Sequence, residues 1–301
     1  MYKRQEGEDG VESERWIKFP FKRQPMDANL LETWAAANEG DRLHYPTPNP
    51  YIASDFRLRA TSGSHKEALF APTIVHECKV MRVWHRLDDR FNQPRACVYF
   101  NVSLPHIPEG AFGMMLTQLF VAMVEDCVNE SVYYPAHLAG MEVDVGASAS
   151  YSGFVFSVEG LSDKLGEVAL SYFKTMTSLK IDAGRFEKRK EERLRDVRNL
   201  CLKPERHAKR SLEVLLKQRD ASQEEKAKAL QVMTAEDLQA FADGIWQHAH
   251  VESLMMGNLD SSEARVLGER IREYLPGGAI PDGAWPETRM ARVPQLSLIH
   301  I

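Results

Sequence analysis

Between Val83 and Val102 the chain alternates hydrophobic and polar positions in two runs parted by a polar stretch. Val83 and Trp84 belong to the first run; in the second, Cys97 and Tyr99 alternate with Val98 and Phe100. A period of two is the mark of half-buried strand. Asp88-Asp89-Arg90 and Asn92-Gln93-Pro94 supply turn chemistry between the runs, so the block predicts a hairpin. The period then lengthens. From Glu109 to Tyr134, Met115, Leu119, Ala122, Val124 and Val128 recur as the apolar stripe of a helix. Alternation returns over Met141–Ala149 and Phe154–Glu159, around a Tyr151-Ser152-Gly153 turn. Gly160 is expected to make the strand-to-helix turn, and Ser162 to cap a helix running to about Ser178. Asp182 opens a long charged helix that must break near Pro204, because proline removes an intrahelical donor. Thr234-Ala235-Glu236-Asp237 reads as a capped helix start. His250–Met256 forms a short strand ended by Gly257-Asn258, and Asp260 or Ser261 begins a last helix that stops at Pro276.

The resulting order is β-β-α-β-β-α-α-α-β-α. Helices follow strand pairs instead of alternating singly with strands. That order predicts an α+β fold, an antiparallel or mixed sheet with helices packed on one face. Residues 63–278 make up this main domain. Residues 1–62 read as a lead-in: an acidic, mobile stretch from Gly7 to Glu14, an aromatic and basic patch from Trp16 to Phe21, and a short helix from Asp27 through Asn38 with Leu30, Leu31 and Trp34 on one face. The prolines at 46, 48 and 50 then impose an extended path over His44–Ile52. Residues 279–301 form a second linker. Its last six, Leu-Ser-Leu-Ile-His-Ile, resemble a translated sequencing adapter and point to a reading frame that continued past Gln295; the other reading is an apolar terminus packed as an edge strand.

Composition narrows the function classes. The 301 residues are 44% hydrophobic and 27% charged, as in ordinary globular domains. A net charge of −5 gives no pull toward nucleic acid or an anionic membrane. Lys3, Arg4, Glu6 and Glu8 stand where a signal peptide needs apolar residues, and the longest apolar run, Ala111–Val128, is short for a span and carries Thr117, Gln118, Glu125 and Asp126. Cys78, Cys97, Cys127 and Cys201 are far apart and read as reduced thiols in an intracellular protein, the other reading being a disulfide pair in a secreted one. A cytoplasmic or organelle-matrix location is expected.

Candidate chemistry is sparse. None of the ten histidines follows a glutamate, so no His-x-x-Glu-His zinc motif exists; His76-Glu77 fails as His-Glu-x-x-His because position 80 is Val80. His248, His250 and Glu252 alternate and would share a strand face, which suits either a metal site or a solvated polar face. His207, after Pro204, suits a cap or packing role better than that of a catalytic base. Arg189, Lys190, Arg193, Arg195 and Arg198 beside Glu187, Glu191, Glu192 and Asp196 read as a solvated helix with i,i+4 ion pairs, or as a basic surface for acidic peptides. No phosphate loop and no serine or cysteine hydrolase pattern is present. No catalytic, metal-ligating or cofactor-binding residue is predicted.

Five separated blocks nevertheless resemble the pitrilysin/insulinase family of zinc metallopeptidases, in its insulin-degrading-enzyme-like branch. Leu43, Pro46, Asn49, Tyr51, Ile52, Asp55 and Phe56 are similar to the stretch before the family's third, middle domain. Trp84, Asp88, Asp89, Phe91 and Pro94 resemble that domain's opening signature. Leu138-Ala139-Gly140 with Val158, Gly160, Asp163 and Lys164, then Phe186, Lys190, Glu191, Arg195, Asn199, Pro204, His207 and Ala208, then His250, Glu252, Leu254, Gly257 and Asn258 complete the pattern. The resemblance implies a parent of four homologous domains in two hinged half-shells around a peptide chamber. Zinc would lie in the first domain, and the fourth would supply an arginine and a tyrosine in a run like Arg-x-x-x-x-Leu-Gly-Tyr, which is absent here. It implies a non-catalytic middle domain, with zinc only in the parent. The expected partners are neighbouring domains of that parent and enclosed peptides; no nucleic acid and no membrane are expected. The alternative is a stand-alone, inactive scaffold or peptide-binding module of the same fold.

Overall fold

The two strands read between Val83 and Val102 exist, but they do not pair with each other. The computed structural model describes residues 11–23, 25–36, 47–60, 71–148, 152–218, 220–287 and 289–291, and these fall into two units, Met1–Pro48 and Asn49–Ile301. Leu43 to Pro46, Asn38, Tyr151 and the adapter-like residues 296–301 lie outside the described residues. The smaller unit holds a hairpin of β1 (Val11–Ser13) and β2 (Pro20–Lys22) and the helix α1 (Ala28–Ala35). Asp27 caps α1 as expected, its carboxylate accepting from Asn29 N at 2.9 Å. Of the stretch expected to be mobile, residues 7–10 lie outside the described residues, while Val11–Ser13 pairs with Pro20–Lys22 at the end of the aromatic and basic patch.

The larger unit runs β3 (Thr73–Cys78), β4 (Met81–Leu87), β5 (Arg95–Ser103), α2 (Gly110–Val128), a π-helical turn (Asn129–Tyr133), α3 (Tyr134–Leu138), β6 (Glu142–Ala147), β7 (Gly153–Leu161), α4 (Ser162–Thr177), α5 (Ala183–Leu200), α6 (Pro204–Leu216), α7 (Gln223–Val232), α8 (Ala235–Gly244), β8 (His250–Gly257) and α9 (Ser261–Tyr274). The strands form one six-stranded sheet in the order β3-β4-β8-β5-β7-β6. Only β4 and β8 are parallel; the other neighbours are antiparallel. The fold is α+β with a mixed sheet, as the element order implied.

The expected β4–β5 hairpin is corrected by β8, which inserts between them, pairing Trp84 with Leu254 on one side and Tyr99 with Leu254 on the other. The connector 88–94 thus spans two strand spacings, about 10 Å, rather than turning tightly. The hairpin that does form joins β3 to β4 through Lys79-Val80, a turn without glycine, asparagine or proline.

Helices cover one face of the sheet. Met81 and Val83, Val98, Phe100 and Val102, Phe154, Phe156 and Val158, and Val251 and Met255 are all buried under them. Phe100 lies 5.6 Å from Phe156 and 5.0 Å from Phe173 of α4, and Phe156 stacks on Tyr172 at 4.8 Å. Truncating such a ring typically costs about 3–5 kcal/mol. Burial also pushes the Tyr172 hydroxyl pKa well up. Helix α2 is buried around most of its circumference, not along one stripe. The stretch Gly110–Leu138 is long and apolar enough to cross a membrane by length and composition, and 61% of its apolar window is buried inside this fold. Helix α5 packs on α2 through charge: Arg189 and Arg185 both meet Asp126, and Arg193 meets Gln118. Its internal pairs among the described residues include Arg189–Glu192 and Lys190–Glu187, both at i,i+3 where i,i+4 was expected.

Three further local expectations change, and one open alternative is settled. Leu161, not Ser162, is the N-cap of α4; Ser162 is its first helical residue, and the Ser162 hydroxyl accepts from Asn258. Gly160 lies within β7 opposite Ala96, not in a turn. A Cβ there would come within 3.0 Å of Met141 Cα, so glycine serves close packing. His207 is exposed on α6, whose N-cap is Lys203 and whose first residue is Pro204. Asp260, rather than Ser261, caps α9 in a capping box with Glu263.

Candidate functional site

Two regions of the larger unit gather functional side chains. The first is a corner where residues 49–60 cross the ends of β8 and α4. Asn49 donates to Pro135 O at 2.7 Å and accepts from Tyr51 N at 3.0 Å; Tyr51 is buried. Asp163, in the first turn of α4, accepts from Ser54 N at 2.8 Å, Asp55 N at 3.2 Å and Ser54 Oγ at 3.2 Å. Asn258 is 3% exposed. Its Oδ1 accepts from Arg59 N at 2.7 Å, and its Nδ2 donates to Arg57 O at 2.9 Å and Ser162 Oγ at 3.0 Å. An asparagine suits this place because one side chain must both donate and accept. Gly257 delivers it with a φ of +113°, and a Cβ there would sit 2.5 Å from Arg95 O, so no other residue fits. Arg59 closes the corner on Glu263 at 2.8 Å.

The electrostatics match this geometry. The backbone amide of Ser54 foremost, with that of Asp55, holds the Asp163 carboxyl below its ordinary range despite partial burial. The Arg57 guanidinium holds Asp55 far below it. Asp260 is lowered by the Ser262 hydroxyl and the Glu263 amide. These acids are ionised as hydrogen-bond acceptors, which is a fastening chemistry and not an acid–base one.

The second region is the sheet face away from the helices. Strand register aligns its side chains in rows across five strands. One row runs Trp84, Leu254, Tyr99, Ser157, Asp144 across β4, β8, β5, β7 and β6; the next runs Arg86, Met256, Cys97, Glu159, Glu142. Tyr99 is 45% and Val155 41% exposed. With Trp84, Leu254, Asn101 and Asp144 they line a shallow cleft of about 360 Å³. The Trp84 indole N–H donates to Glu252, which fixes the ring.

The His248-x-His250-x-Glu252 triplet lies at one end of this face. His250 Nε2 is 3.3 Å from Glu252 Oε2, but His248 turns away, its Nδ1–H donating to Ala279 O at 2.8 Å. His250 is buried, with its ring 5.0 Å from that of Trp285, so the strand face is not solvated there. Among the described residues no group of three histidine, cysteine or acidic side chains is placed to hold a metal ion. The four cysteines are free thiols.

Separate sequence blocks meet in the first region: Asn49, Tyr51 and Asp55 from the proline-rich stretch, Asp163 from the Asp-Lys block, and Asn258 from the Gly-Asn block. From the same blocks, Phe186 is fully buried, and Lys190 lies 5.6 Å over its ring and donates to Met233 O. Ile52, Phe56 and Phe91 remain exposed. Sequence reasoning missed the row across the bare face. The i,i+2 spacing of Glu142 and Asp144 was visible, but which strands flank them was not.

Residues 1–229 match the family model of the middle or third domain of peptidase M16. The chain is 26% identical over 264 residues to the insulin-degrading enzyme of Homo sapiens, covering 87% of this chain and 25% of that protein. It is 26% identical over 272 residues to a nardilysin-like protein of Arabidopsis thaliana, covering 90% of this chain and 26% of that one. It thus spans about a quarter of the length of these curated relatives. In fold it resembles the crystal structure of pitrilysin with a TM-score of 0.74 at 18% identity, covering 88% of this chain and 28% of that one.

Proposed function

Because the chain belongs to the peptidase M16 family as its middle or third domain, we propose that it is a non-catalytic wall of a peptide-enclosing chamber in a larger zinc metalloendopeptidase. The observation that carries this reading is the bare face of the six-stranded sheet. A sheet with one solvated face normally presents polar side chains there; this one presents Trp84, Leu254, Tyr99 and Val155 in a shallow cleft. Such a surface suits transient contact with extended peptide. The fastened corner supports the companion role: residues 49–60 travel with this domain, so a hinge to the preceding half of the parent lies before Asn49. Exposed Ile52, Phe56 and Leu58 offer an apolar surface to a neighbouring domain.

Zinc and the bond-breaking step belong to the parent, whose location is read as cytoplasm or an organelle matrix. Within this chain the proposal assigns no catalytic or metal-binding residue. Incubating the 301-residue chain with zinc and an internally quenched peptide tests this assignment; chelator-sensitive cleavage overturns it. A photocrosslinking phenylalanine at Tyr99 tests the wall. It should label peptide, whereas the same group at Val266, exposed on α9, should not. Equal labelling at both positions rules the wall out.

A further inference from the structure

The bare face is polarised. On β4, Arg82 is bonded to Glu77, and it is also within 3.8 Å of Glu252. At the other edge of the sheet, Glu142 of β6 stands directly opposite Glu159 of β7, and Asp144 lies opposite Ser157 on the same face. All three carboxylates are exposed, and none is paired with a cation among the described residues. Directly opposed like charges destabilise an antiparallel pair, whereas an opposite charge bridging them stabilises it. Within the cleft one register row, Trp84, Leu254, Tyr99, Ser157 and Asp144, runs into this acidic edge, with Val155 on the row beside it.

We propose that the occupant of this face is an extended peptide carrying an aromatic or large aliphatic residue followed, four residues on, by lysine or arginine. The inference rests on the chamber-wall reading and names the peptide class that the wall favours. The spacing comes from the sheet. From the Leu254–Tyr99 groove to Asp144 is two to three strand spacings, about 10–14 Å, and an extended peptide rises about 3.3 Å per residue with alternate side chains on one side. Residues i and i+4 therefore face the sheet together, one over the groove and the other among the carboxylates. The basic group replaces like-charge repulsion between Glu142 and Glu159 with a bridging cation, an interaction that salt screens.

Fluorescence anisotropy with the 301-residue chain tests this using labelled peptides built on Phe-Gly-Ser-Gly-Lys, and on the same core with the lysine replaced by norleucine or by glutamate. The lysine peptide is expected to bind at least tenfold more tightly than the glutamate peptide at 50 mM salt. That ratio should collapse at 500 mM salt and in the triple variant Glu142→Gln, Asp144→Asn, Glu159→Gln. The variant should still bind the norleucine peptide as the parent chain does, which shows that it is folded. Equal binding of all three peptides overturns the charge selection while leaving the wall reading intact. No binding of any peptide overturns both.

Discussion

The fastened corner and the bare face share strand β8, and they treat polar groups in opposite ways. At the corner, Asn258 satisfies a donor and two acceptors, and Asp163 collects two amides and a hydroxyl. On the face, Glu142 opposes Glu159 with no cation paired to either among the described residues. Partnered, buried polar groups hold one arrangement, because leaving any of them unmade costs its full desolvation. Unpaired exposed charges cost less and remain available to a ligand. A corner built for permanence next to a face built for exchange is what a domain needs if it must hold its linker and release peptide.

The largest break of this contrast should come from Asn258→Ala. It strands the Arg59 amide, leaves Arg57 O with only the Arg59 guanidinium at 3.3 Å, and removes a bond from Ser162. One stranded backbone group at a typical penalty lowers stability by about 1–3 kcal/mol. Denaturant unfolding should show this loss, and hydrogen exchange should show residues 54–59 opening first. Exchange that rises evenly over the sheet, with no excess in the linker, would mean that the corner does not act as a clasp.

A smaller loss should follow acidification. The folded pKa of Asp163 lies below its ordinary value of 3.8, chiefly through the Ser54 amide. The carboxylate's contribution is therefore complete above that value and fades as pH falls through the lower folded one. Amides of Ser54 and Asp55 should lose protection below about pH 4 while those of β5 and β8 keep theirs. Asp163→Asn should remove this pH dependence. Persistence of the acid-induced opening in that variant would assign it to Asp55 or Asp260 instead.

Much of the corner was legible in the sequence and little of the face was. Gly257-Asn258, Asp163 and Asn49 carry local signals, since each does something that few other residues can do: a left-handed turn, a charged acceptor, a two-way amide. Their meeting point was not legible, because it depends on strand pairing. The β4–β5 hairpin was misread for the same reason, as alternation specifies a strand's faces and says nothing of its neighbours. One clue stood in Leu254-Met255-Met256, a near-continuous apolar run of the kind found in a central strand. Strand β3 escaped notice because Lys79-Val80 carries no turn residue. The Ser162 cap failed because its hydroxyl was taken as a partner for its own helix, when it faces Asn258.

The smallest expected effect is also the one with an unusual sign. Glu142→Gln keeps the size and polarity of the side chain and removes one of two carboxylates that face each other across β6 and β7. Relief of a directly opposed like-charge pair should raise stability by about 0.2–1 kcal/mol, a rise in Tm of at most about 3 °C for a chain of this size. The gain should shrink in high salt as screening removes the repulsion from the parent chain as well. Glu142→Lys should stabilise at least as much, by pairing with Glu159. A neutral or destabilising result for both substitutions would show that these carboxylates already have a cation partner. The bare face would then be as fully satisfied as the corner.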